Sequence, residues 1–97
     1  GITGILCASD PLALGAVRAV RRAGKQVPAD VSIVGYDDSA LMNATDPPLT
    51  TVRQPIEPMG RLAIELLVAQ LQGGKTSTEE YLFEPELVVR GSTGRAR

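Results

Sequence analysis

Two polar steps are the residues best able to do chemistry in this 97-residue chain: Ser9–Asp10 after the apolar run "TGILCA", and Asp37–Asp38 after "SIVGY". Carboxylates in such places have three ordinary uses. They can cap a following helix by accepting its free backbone N–H groups, which contributes about 1 kcal/mol each. They can share a hard cation such as magnesium for phosphoryl transfer. They can also accept hydrogen bonds from the hydroxyls of a neutral polyol, for which an ionised oxygen is a stronger partner than a neutral one. Capping suits Asp10, which has Pro11 behind it, and Asp38, which precedes the segment 40–45. It suits Asp37 less, because Asp37 leaves its strand first and a better-placed cap follows it. The cation reading lacks a phosphate-binding partner, since no lysine lies near either step and the turn "TGILCASD" contains neither G-x-G-x-x-G nor G-K-[ST]. A polyol site needs neither metal nor base, which fits a chain without a single histidine.

Something must hold these steps in place. "TGILCAS" reads as a strand, and "DPLALGAVRAVRRAGK" follows with helical spacing, Ala13, Val17 and Val20 on one stripe and Ala16 and Ala23 beside it. Ser9 or Asp10 is placed to cap that helix and Pro11 fits its first turn. Arg21, Arg22 and Lys25 complement the dipole at its end, where Gly24 can close it. "VPAD" then turns the chain into a second apolar strand, "VSIVGY". Strand, helix, strand predicts a βαβ unit with a parallel sheet, and unbroken apolar runs predict strands covered on both faces. Ligands of open parallel sheets bind outside the carboxyl ends of the strands. If the two strands are neighbours, Ser9, Asp10, Asp37 and Asp38 share one rim.

Downstream, "SALMNATDPP" is weakly helical and "LTTV" is β-prone. The strongest helical pattern spans 56–72, with Ile56, Met59, Ala63, Leu66, Leu67 and Leu71 on one broad face and Gly73 and Gly74 at its end. "YLFEPELVVRGS" reads as an extended segment that Pro85 divides, and "TGRAR" as a loose basic tail. A formal charge of −1 offers no attraction for phosphate backbones or acidic membranes. No apolar run reaches the roughly 18 residues needed to span a bilayer, and no basic-then-apolar leader precedes a cleavage site. The lone Cys7 cannot form an internal disulfide, which fits a reducing compartment, and reads as a small buried hydrophobe.

The motifs "SDPLALGAVRA", "VPADVSIVGYDD", "PPLTTVRQP" and "PELVVRGST", in that order and spacing, resemble the effector-binding domain of the LacI/GalR family of bacterial transcriptional repressors. The resemblance covers nearly the whole chain. It implies an α/β, Rossmann-like parallel sheet of the periplasmic-binding-protein-like (type I) fold, present here as a C-terminal fragment. In that family two lobes are joined by three crossing strands and the effector lies between them. Residues 1–46 would form the βαβ part of the C-terminal lobe, 47–80 the crossover and an N-terminal-lobe helix, and 81–97 the return strand and tail. Asp37 corresponds to the family's acceptor of sugar hydroxyls and Gln54 to a further hydrogen-bonding position. Ser9 stands where asparagine is common, Ile56 where some members place an aromatic ring, and Asp10 and Asp38 match structural caps. Leu14, Val17, Arg18, Leu41 and Thr45 fall on the family's dimer surface, although Leu14 and Val17 serve equally well as core.

The resemblance thus implies the effector-binding and dimerising part of a cytoplasmic regulator, not an enzyme and without a cofactor. Its partners would be a sugar or nucleoside effector, a second copy of itself, and operator DNA reached only through a headpiece outside this chain; no membrane is involved. A periplasmic-type sugar-binding protein of a transporter is the alternative from another class. By itself the chain is expected to self-associate, because its first strand would be an open edge and its 56–72 helix would lack most of its sheet.

Overall fold

The computed structural model describes residues 1–40, 44–74 and 81–96, in two compact units. The first comprises Gly1–Arg53 and Glu86–Arg97, the second Gln54–Pro85. In the first unit, strand β1 (Gly4–Leu6) leads to helix α1 (Asp10–Arg22) and then to strand β2 (Ser32–Val34). β1 and β2 pair in parallel, Ile5 opposite Ile33 and Leu6 opposite Val34, so the predicted βαβ unit is present.

α1 begins where a polar side chain replaces the missing helical acceptor. Ser9, in extended conformation, accepts the Leu12 N–H on its hydroxyl at 3.3 Å. Ser9 is therefore the cap, and the expectation that Asp10 would cap is corrected: Asp10 is the first helical residue and is buried. At the other end the Gly24 N–H donates to the Arg21 carbonyl and the Lys25 N–H to the Val20 carbonyl. That pairing needs a left-handed residue, and Gly24 supplies it at φ +78°. Ala13, Val17 and Val20 of α1 pack with Val31, Ile33 and Leu49 to form the core, with Ile5, Cys7, Ala16 and Val27 at its margin.

Strand β3 (Thr51–Arg53) pairs antiparallel with β4 (Glu86–Val88), and the residues around its start run alongside the end of β2. The Gly35 N–H donates to the Thr50 carbonyl and the Asp37 N–H to the Val52 carbonyl, each at 2.9 Å. β2 is thus flanked on both edges, whereas β1 pairs only with β2 among the described residues, and Ile2 and Leu6 on it are exposed. The expectation of strands covered on both faces holds for Ile33, which is fully buried, but not for Leu6, which is 78% exposed.

Two expectations about the end of the chain are corrected. Pro85 does not divide a strand: β4 starts immediately after it, where a missing N–H costs nothing in the ladder. The tail is not wholly loose at its start, just after Ser92, which is buried with its hydroxyl donating to the Ile33 carbonyl at 2.6 Å and accepting the Thr50 N–H at 2.8 Å. The Thr93 and Thr50 hydroxyls are bonded at 2.8 Å, and the Gly94 N–H donates to the Ser32 hydroxyl at 3.0 Å.

The second unit is dominated by helix α2 (Ile56–Leu71). It ends like α1, with the Gly73 N–H donating to the Gln70 carbonyl, the Gly74 N–H to the Ala69 carbonyl, and Gly73 at positive φ. No residue of α2 is buried, and Ile56, Ile64, Leu67, Val68 and Leu71 are all exposed. Its apolar content is real, but the described residues do not cover it.

Candidate functional site at the strand ends

The parallel register brings the carboxyl ends of β1 and β2 side by side, the Cys7 N–H donating to the Val34 carbonyl and the Asp10 N–H to the Tyr36 carbonyl. Between them opens an apolar hollow of about 470 Å³ lined by Leu6, Cys7, Ala8, Tyr36 and Val52. This is the rim that topology predicts, with Ser9 and Asp37 each next in sequence to a lining residue. Burial raises the Cys7 thiol above its ordinary pKa, so Cys7 contributes a neutral apolar surface here, not a thiolate.

The aspartates on this rim have separate occupations. Asp10 ties three segments together. Its carboxylate accepts the Thr51 hydroxyl on one oxygen and the Ser39 N–H on the other, both at 2.8 Å. Gly35 lies against it, and a Cβ there would collide with Asp10 Oδ1 and reach Leu49 Cδ2 at 2.9 Å. Only glycine fits that position.

Asp38 is held by two arginines, and the segment 40–45 it was expected to cap lies partly outside the described residues. Arg53 Nε donates to its Oδ2 at 2.7 Å and Arg90 Nη1 lies 2.9 Å from its Oδ1, with the Asp38 side chain only 10% exposed. The hydrogen bond from Arg90, then that from Arg53, holds its carboxyl below the usual carboxylate range. With both oxygens of Asp10 and both of Asp38 engaged by protein donors, neither is arranged as a cation ligand. Asp37 is the exposed member of the pair, and both aspartates have left-handed backbones, φ +106° and +55°.

Of the residues the sequence points to, the structure places Ser9 and Asp37 on this one rim. Gln54 opens the second unit, where it is half-buried, and Ile56 is exposed in the first turn of α2. On the expected dimer surface, Val17 is corrected to a core residue, 4% exposed, because its side of α1 faces β2. Leu14 and Thr45 are half-buried, Arg18 is exposed, and Leu41 lies outside the described residues. Sequence reasoning passed over Tyr36 and Val52 as lining residues and Thr51, Arg53, Arg90 and Ser92 as supports. Tyr36 had a signal in its place directly before Asp37; the others act across long sequence separations.

Known proteins place this arrangement. The model of the periplasmic binding protein-like domain matches residues 2–93. The chain is 54% identical over 94 residues to the HTH-type transcriptional regulator MalR of Streptomyces coelicolor, covering 97% of this chain and 27% of that protein. Among solved structures it is similar to the transcriptional regulator CelR–cellobiose complex, at 42% identity and TM-score 0.85 over 93% of this chain and 28% of the other. It is similar also to the lac repressor dimer bound to operator and the anti-inducer ONPF, at 38% identity and TM-score 0.82 over 94% and 32%. The chain therefore spans roughly a quarter to a third of the length of these relatives, which are transcriptional regulators and not enzymes. The chain belongs to the periplasmic binding protein-like domain family.

Proposed function

We propose that the chain is the C-terminal part of the effector-binding region of a LacI-type transcriptional regulator that senses a small sugar or nucleoside. The observation that carries this reading is the rim itself: an apolar hollow walled by Tyr36 and Leu6, beside an exposed carboxylate at Asp37. A pyranose or nucleoside has a flat apolar face and hydroxyls at its edge, which such a surface complements. The cellobiose bound by CelR belongs to this chemical class. Asp37 would accept ligand hydroxyls, with Ser9 and Gln54 as further polar contacts by their family positions. Residues 1–46 would serve one lobe, 47–80 carry the chain into the other, and 81–97 return it.

The regulator would work as a homodimer in the cytoplasm, where its operator lies, through Leu14, Arg18, Leu41 and Thr45. It would reach DNA through a headpiece outside this chain. Among the described residues no helix is long and apolar enough to cross a membrane. Effector binding would shift the population between a state that holds operator and one that does not, by as much as its affinities for the two states differ. The alternative, a sugar-binding component of a transporter, has weaker support, since the relatives named above are transcriptional regulators. The test is made on the full-length protein. A thermal-shift screen of mono- and disaccharides and nucleosides should find one that raises the melting temperature, and that compound should change affinity for an operator fragment in fluorescence anisotropy. Sugar binding without any DNA affinity would favour the transport reading instead.

A further inference from the structure

Asp38 stands out because its carboxylate, though only 10% exposed, takes no part in the hollow beside it. Its two oxygens reach two different segments, Arg53 on β3 at 2.7 Å and Arg90, two residues beyond β4, at 2.9 Å. β3 runs directly into the second unit at Gln54, and β4 begins where the chain returns from it at Glu86. Arg90 is itself fixed, Nη1 donating to the Leu49 carbonyl at 3.0 Å and its backbone N–H to the Thr50 hydroxyl at 2.9 Å.

The segment these ion pairs hold is one that would not hold itself. Two consecutive residues with side chains, Asp37 and Asp38, sit at positive φ, a conformation that a Cβ disfavours and that asparagine and aspartate merely tolerate better than most. Three successive amides there are each anchored separately: Asp37 N–H to the Val52 carbonyl, Asp38 N–H to the Thr51 hydroxyl at 3.3 Å, and Ser39 N–H to Asp10 Oδ2. We propose that Asp38 is a positioning residue: its ion pairs with Arg53 and Arg90 keep the 36–39 turn in the left-handed form that presents Tyr36 and Asp37 to a ligand, and tie that turn to the two strands through which the chain enters and leaves the second unit. Strain relieved or imposed at the turn on ligand binding is then passed to β3 and β4 through the guanidinium groups. The ligand half of this inference rests on the effector reading above; the positioning half does not.

The experiment uses the full-length protein and two substitutions. Asp38→Asn keeps the size and left-handed tolerance of the residue but removes its charge. Arg53→Lys removes one planar partner and keeps the charge, and carries the test should the first variant fold poorly. Hydrogen–deuterium exchange read by mass spectrometry should show the amides of 37–39 accelerated at least tenfold more than those of α1 in Asp38→Asn, with a smaller rise at the same amides in Arg53→Lys. A rise at 37–39 no greater than that in α1 overturns the proposal, because Asp38 would then stabilise the unit as a whole. Titration with maltose and with cellobiose reads the ligand half. For a sugar that the native protein binds, Asp38→Asn should lose at least tenfold in affinity at a temperature where it is folded, and unchanged affinity overturns that half. If neither sugar binds the native protein, it is the effector reading that loses support, while the exchange result still decides the positioning role.

Discussion

Helices α1 and α2 end in the same glycine-closed motif, yet they bury their apolar residues very differently. α1, in the first unit, places Ala13, Val17 and Val20 in a core with Val31, Ile33 and Leu49. α2, in the second, buries none, although it carries more large apolar side chains, among them Ile56, Ile64, Leu67 and Leu71. Helical stability in proteins comes mostly from packing an apolar face, not from propensity. The first unit therefore has a packed apolar core, while α2 presents an apolar face that the described residues leave uncovered.

Equal truncations in the two regions test this contrast most strongly. Ile33→Ala should cost about 2–5 kcal/mol, since a fully buried isoleucine leaves a cavity. Ile64→Ala in the same 97-residue chain should stay within about 0.5 kcal/mol, since Ile64 is 61% exposed. Urea denaturation midpoints measure both, and comparable losses would erase the distinction.

Gly35→Ala sharpens the account of the rim. The added methyl meets Asp10 Oδ1 and Leu49, so a loss of about 1–3 kcal/mol is expected by the same measurement, where an open glycine such as Gly15 would tolerate alanine.

Asp38→Asn should cost about 1–3 kcal/mol near neutral pH, the range for hydrogen bonds to charged groups. The sign of its pH dependence follows from a folded-state pKa lowered by Arg90 and Arg53. A carboxylate depressed on folding contributes stability above its unfolded value of about 4 and loses it as pH falls through the lower folded value. The difference between native and variant protein should therefore be full at pH 6–7 and shrink below about pH 4. A difference constant down to pH 3 would mean that the ion pairs contribute little.

Ser9→Ala should cost about 1 kcal/mol by removing the α1 cap, whereas Asp10→Ala should cost more because it strands the Thr51 hydroxyl and the Ser39 N–H. Reversal of that order would mean that the ties from Asp10 to Thr51 and Ser39 contribute little.

These residues also mark how far the sequence could be read. The βαβ unit was legible because its signals are local: apolar runs, a 3.6-residue stripe, a serine before the helix and a glycine after it. The candidate rim followed from topology, since parallel neighbours must end on one side. What lay beyond reach were pairings between distant segments. Asp38 looks like a cap until Arg53 and Arg90 are brought to it from β3 and from beyond β4, and nothing near Ser92 announces that its hydroxyl will bridge Ile33 and Thr50. Asp10 was recognised as structural, but its partner Thr51 is 41 positions away. Val17 could be assigned to core or surface until the position of β2 against α1 was known.

The central claim is that Asp37 is the ligand-facing carboxylate of this rim, and Asp37→Asn in the full-length protein tests it directly. Asparagine tolerates the positive φ at this position, so the fold should be unaffected. Isothermal titration with the effector identified by the thermal-shift screen should show a loss of about 1–3 kcal/mol, roughly five- to 150-fold in affinity, with the melting temperature unchanged. Full affinity in the variant, or a fall in melting temperature that accounts for the loss, would contradict the claim and make Asp37 a structural residue.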